Sequence, residues 1–142
     1  MEEWREQALA EINGLKPYWV QKHRWQPEVV QGEEMLDLLV TLRGRRFDGK
    51  LFVLRLRYLP DWQVSGRREG FVDADDHSHA GAEFWPPEGG GINPNYQHQG
   101  AHVPVICLRG VWGFHSVLHT DRAMDEASLL RLLMELQGVL DR

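Results

Sequence analysis

The chain of 142 residues holds a single cysteine, Cys107. A disulfide within it is excluded, nothing in its cysteine usage points to an oxidising compartment, and any sulfur chemistry belongs to that one side chain. Positive charge is also in deficit: 16 Lys and Arg stand against 21 Asp and Glu, a formal net charge of −5. A general nucleic-acid binder draws its affinity from phosphate neutralisation, so no nucleic-acid partner is expected. The amino terminus, Met1 to Glu6, lacks the basic flank and apolar run of a secretion signal, and a cytoplasmic location is expected. Long apolar runs are missing too. Residues 89–108 carry no Asp, Glu, Lys or Arg, yet Gly89, Gly90, Gly91, Pro94, Asn95, His98 and His102 break them up. A membrane-spanning helix needs about 20 predominantly apolar residues, so no membrane partner is expected.

What is present is ordinary for a folded domain: 42% hydrophobic and 26% charged residues, with no internal repeat. The length predicts one domain over 1–142, large enough to bury roughly 70% of its unfolded surface without disulfides or structural metal.

Trp4, Ala8, Ile12 and Leu15 recur near one helical face, with Glu2, Glu3 and Glu6 where acidic side chains favour a helix start, and Gly14 and Pro17 ending it. Leu36, Leu38, Val40 and Leu42 alternate with Asp37, Leu39 and Thr41, the period of a strand with one buried face. Asp48-Gly49 is a turn signal, and Leu51 to Leu59 resumes as the second arm of an antiparallel hairpin. Tyr18 to Val30, interrupted by Pro27, reads as an edge strand, and Glu69 to Ala74 as another strand beside the hairpin. Five of the seven prolines and seven of the fourteen glycines fall between Pro60 and Pro104, which predicts a long irregular working loop. A short extended piece around Val103, Val105 and Cys107 leads out of it. Leu129, Leu132, Leu133, Leu136 and Leu140 form the apolar stripe of a final helix, with Asp125 as its expected cap. Helix, four-strand meander, long crossover, helix: the order predicts an α+β layer pair with the carboxy-terminal helix packed on the sheet.

Three constellations could carry chemistry. An unpaired cysteine is usually buried as a small apolar residue. Cys107, however, follows a polar loop, and His98, His102, His115 and His119 are available to favour the nucleophilic thiolate. Asp73, Asp75, Asp76, His77 and His79 offer imidazole and carboxylate groups of the kind that ligate zinc, though no third histidine has diagnostic spacing, so a solvated acidic loop is the plainer account and no metal is assigned. Arg43, Arg45, Arg46, Lys50, Arg55, Arg57, Arg67 and Arg68 stand against only Asp48 and Asp61. Half of these would share one sheet face, either as a solvated face or as a docking surface for an acidic partner. Trp62, Trp85 and Trp112 are expected mostly in the core beneath the long loop.

The segment Asn93-Pro94-Asn95, a connection containing Gly100, then Val105-Ile106-Cys107-Leu108, resembles the active-site segment of the ubiquitin-conjugating enzymes, which reads His-Pro-Asn, a short connection, then Ile-Cys-Leu. Phe47-Asp48-Gly49-Lys50-Leu51-Phe52-Val53-Leu54-Arg55-Leu56 is similar to that family's Tyr-x-Gly-Gly-x-Phe-x-Leu hairpin, and Tyr58-Leu59-Pro60-Asp61-Trp62 to the Phe-Pro-x-x-Tyr-Pro strand end that follows. The resemblance implies the ubiquitin-conjugating fold and transthioesterification. Cys107 would accept a ubiquitin-like protein from an activating enzyme and pass it to an amine, with no cofactor of its own, while Asn95 would stabilise the oxyanion or organise the loop. Asn93 stands where the family has His, and Asn95 precedes Cys107 by about four residues more than is usual. His98 and His102 are therefore further candidates to reach the thioester carbonyl. A single helix after the cysteine makes the chain most like minimal bacterial relatives, which are encoded beside ubiquitin-like proteins, activating enzymes and deubiquitinase-like peptidases, and an antiphage role is the corresponding expectation. Two other readings are a non-catalytic binding module of the same fold and a metal-dependent hydrolase built on the His/Asp-rich loop.

Overall fold

The alternating apolar residues of the middle of the chain form two long strands, β2 (Leu36–Gly44) and β3 (Lys50–Tyr58), in a computed structural model that describes residues 1–124 and 128–142. With β1 (Gln26–Gln31) and β4 (Arg68–Val72) they make a four-stranded antiparallel meander in sequence order, the expected sheet. The register places Leu38 opposite Leu56, Val40 opposite Leu54, and Leu54 in turn opposite Phe71, so one face is continuously apolar. The β2–β3 turn is longer than a two-residue hairpin. Arg45–Phe47 forms one 3₁₀ turn before Asp48 and Gly49, both at positive φ, reverse the chain.

Helix α1 (Glu3–Asn13) places Ala8 and Ile12 on the apolar face, and Gly14 ends it as expected. The carboxy-terminal helix (Leu129–Asp141) packs on the same face, with Leu132, Leu133, Leu136 and Leu140 no more than 1% exposed. Each such side chain contributes about 1.5–3 kcal/mol by leaving water. The expected cap, Asp125, lies outside the described residues. Ser128 caps the helix, its hydroxyl accepting from the Arg131 N–H at 3.3 Å.

Tyr18 to Val30 is not one edge strand. Its first part is a short helix, α2 (Pro17–Lys22), and only Gln26–Gln31 pairs with β2. Pro17 sits in the first turn, where its fixed φ suits a helix and its missing N–H costs nothing. Trp19 and Trp25 stack on either side of His23 and pin the turn between helix and strand.

Arg67 was counted above with a basic surface, but it is fully buried. Its guanidinium pairs with Glu11 of α1, contacts the Tyr58 hydroxyl at 3.3 Å and donates to the Gly110 carbonyl at 2.8 Å. It thereby ties α1, β3 and the segment that follows Cys107 to one point. Trp62 and Trp85 are core residues, while Trp112 is half-buried. No helix among the described residues is long and apolar enough to cross a membrane.

Candidate functional site

The proline- and glycine-rich stretch is less irregular than its composition predicts, because it contains two small hairpins. In one, β5 (Ile92–Asn93) pairs with β8 (Val105–Ile106); in the other, β6 (Gln97–His98) pairs with β7 (Ala101–His102). Ile92, Val105 and Ile106 are buried and anchor the first hairpin to the core. Cys107 emerges directly from β8, its N–H donating to the Gly91 carbonyl at 2.6 Å. Gly91 has φ +97°, and a side chain there would crowd the Cys107 carbonyl at 3.3 Å, so glycine suits both the turn and the close approach.

The thiol is exposed, not buried as an unpaired cysteine usually is. Its Sγ lies 3.8 Å from Nε2 of His119. A π-helical segment, Gly113–Leu118, delivers that histidine, and its end is closed by the His119 N–H donating to the Phe114 carbonyl at 2.7 Å. The imidazole packs against the Phe114 ring, centroids 4.6 Å apart. Inside the same segment, His115 is buried; Nε2 accepts from the Gly110 N–H at 3.0 Å and Nδ1 faces the Arg122 carbonyl at 2.9 Å. Those partners require a neutral ring with its proton on Nδ1, which makes His115 a structural brace for the turn after Cys107.

Glu69 joins the two halves of the site. Its Oε2 accepts from the Ile106 N–H at 3.0 Å and from the Gly113 N–H at 3.1 Å, while Oε1 accepts from Gly113 at 3.0 Å. One carboxylate thus holds the residue before Cys107 and the first residue of the segment that carries His119. Burial pushes its pKa from the ordinary 4.5 up to about 7, against the backbone hydrogen bonds and Arg68, which pull it down.

Beside the thiol is a shallow pocket of about 330 Å³ lined by Gly91, Ile92, Asn93, Tyr96, Val105 and Leu118 among others. Asn95, His98 and His102 do not line it. The extra residues before Cys107 form the β6–β7 hairpin, which takes up His98 and His102, and His102 Nε2 lies 2.7 Å from the Pro94 carbonyl. Asn95 is exposed at the hairpin's start, with its N–H donating to Asn93 Oδ1 at 2.9 Å. That bond occupies the Asn93 carbonyl and leaves its amide NH₂ as the donor beside the thiol pocket. Asn93 rather than the expected Asn95 lines the pocket. The sequence offers His119 only as one of four neighbours of Cys107 and Glu69 only as part of a strand; nothing local in it marks either.

The His/Asp-rich loop does not converge. His77 Nδ1 faces Glu28 at 3.3 Å, and His79 Nδ1 faces Asp76 at 2.8 Å. Hydrogen bonds from Ser78, with a further one from His79, hold the Asp76 carboxyl down to about 2. Among the described residues, no three His, Cys, Asp or Glu side chains gather as a metal site.

Comparison with family models, with curated proteins and with solved structures found no match to this chain.

Proposed function

We propose that the protein is a cysteine-dependent acyl transferase of the ubiquitin-conjugating type, with the corresponding fold. The observation that carries this reading is the exposed Cys107 thiol beside His119 Nε2 at 3.8 Å, at the mouth of a partly apolar pocket. His119 takes the thiol proton, and Cys107 Sγ attacks the thioester carbonyl that an activating enzyme presents at the carboxyl terminus of a ubiquitin-like protein. The new S–C bond forms as the donor's S–C bond breaks, and the departing thiolate regains a proton. In the second half-reaction an amine displaces Cys107, which leaves as thiolate. The free NH₂ of Asn93 is the donor for the developing oxyanion, a role typically worth about 10²–10³ in rate. An activating enzyme, a ubiquitin-like protein and a deubiquitinase-like peptidase are the partners this chemistry implies, in a bacterial antiphage setting.

The test incubates the protein with its activating enzyme, ATP and ubiquitin-like protein, and resolves the products without reductant. A thiol-sensitive adduct is expected with the wild type, a thiol-resistant ester with Cys107→Ser, and none with Cys107→Ala. His119→Ala should slow loading by about 10²-fold, as loss of a general base does. An adduct that survives Cys107→Ala would refute the assignment. Absence of any adduct, with ubiquitin-like protein still bound, would make the chain a binding module.

A further inference from the structure

The β3–β4 pairing sets Arg57 directly opposite Arg68, a like-charge juxtaposition that repels. Asp37 answers Arg57 with two hydrogen bonds, at 2.9 and 3.0 Å. Arg68 has a different neighbour, the Trp112 ring, 4.2 Å from its guanidinium. Arg55 shares their face two residues along β3, and its Nε is buried with no hydrogen-bond partner. Burial, with the neighbouring Arg57 and Arg68, lowers its pKa against the opposing pull of Asp37. Positive charge is thus concentrated on β3 and the edge strand β4, where Arg55, Arg57 and Arg68 stand against the carboxylates of Asp37 and Glu69.

Beside that edge runs a groove of two lobes, about 530 and 340 Å³, which share Arg55, Glu69, His102 and Pro104. Trp112 lines one lobe and Trp85 the other. The edge strand β4 is bridged at Arg67 by Val111 and at Val72 by Ala80. Between those points it pairs with no strand on that side among the described residues. A compact anion would use one focus of charge; a groove of two adjoining lobes, with Arg55 and Arg68 paired to no carboxylate among the described residues and Trp112, Trp85 and Pro104 in its walls, matches an extended chain.

We propose that this groove binds an extended acidic peptide segment of a partner protein, with carboxylates on Arg55 and Arg68 and apolar side chains against Trp112 and Pro104. The inference does not depend on the chemistry at Cys107. It bears on it all the same, because Pro104 is three residues, about 10 Å of extended chain, from the thiol.

The test measures fluorescence anisotropy of a fluorescein-labelled nonapeptide of alternating glutamate and valine, added to the Cys107→Ala protein so that no covalent step contributes. Saturable binding that weakens with salt is expected. Arg55→Gln with Arg68→Gln should lower affinity at least about tenfold, the scale of an interface hot spot. Arg68→Gln alone, at an exposed position, should lower it measurably and guards against misfolding of the double variant. Arg43→Gln with Arg45→Gln removes the same charge at exposed positions outside the groove and should leave affinity within about twofold. No saturable binding, an equal loss in the Arg43/Arg45 variant, or equal competition by tripolyphosphate would each overturn the proposal.

Discussion

Glu69 makes the stability of the site depend on pH in a direction opposite to most carboxylates. Its pKa is raised from 4.5 to about 7 in the folded protein, so between those values the folded chain holds a proton that the unfolded chain releases. Stability from this group is therefore complete below about pH 4.5, falls as pH rises, and is lost above about 7. The span corresponds to about 3 kcal/mol. The hydrogen bonds survive protonation: Oε2 accepts from both Ile106 and Gly113, so Oε1, which only shares the Gly113 N–H, can carry the proton without leaving either N–H unpaired. Glu69→Gln reproduces that neutral state. Urea unfolding of the two proteins at intervals from pH 4.5 to 8 isolates the group, because Arg68, Arg55 and His102, which line the same groove, are common to both. The stability difference should widen in favour of Glu69→Gln by about 3 kcal/mol at the alkaline end. Glu69→Ala instead strands two backbone N–H groups at a cost of about 1–3 kcal/mol each. A Glu69→Gln difference that stays constant across the range, or that widens toward acid, would refute the reasoning.

Removing Arg67 should cost about 3–5 kcal/mol, because Glu11 and the buried Tyr58 hydroxyl lose their cation together, and chemical denaturation of Arg67→Ala would register it. Leu133→Ala opens a cavity under the final helix where the side chain is 0% exposed, an expected loss of about 2–5 kcal/mol in the same assay. Gly91→Ala strains a positive-φ turn against the Cys107 carbonyl. It should alter the iodoacetamide labelling rate of the only thiol while lowering the thermal midpoint by only a few degrees.

The strands and the final helix were legible because their burial is periodic. Leu36, Leu38, Val40 and Leu42, and the Leu129 to Leu140 stripe, announce their inner faces residue by residue. Helix α2 was not legible, because six residues contain too little periodicity to separate from a neighbouring strand, and the stacking of Trp19, His23 and Trp25 that stabilises it is set by three-dimensional packing. The same limit applies at the site. Cys107 could be singled out as the only cysteine, but His119 reaches it through the pitch of a π-helical segment, and Glu69 through hydrogen bonds spanning 37 and 44 residues. That Asn93 and not Asn95 lines the pocket follows from how the intervening hairpin folds, not from the residues themselves.

The π-helical segment Gly113–Leu118 also gives the molecule an angular control. Each residue of a helix advances about 100° around the axis, and a π turn differs from an α turn by one residue. Deleting one residue from this segment would leave every side chain of the pair chemically intact while rotating the imidazole roughly a quarter-turn away from the sulfur. The Cys107 thiol and the His119 imidazole are thus joined by a phase relation, and a change of helical pitch would separate them as effectively as a mutation of either.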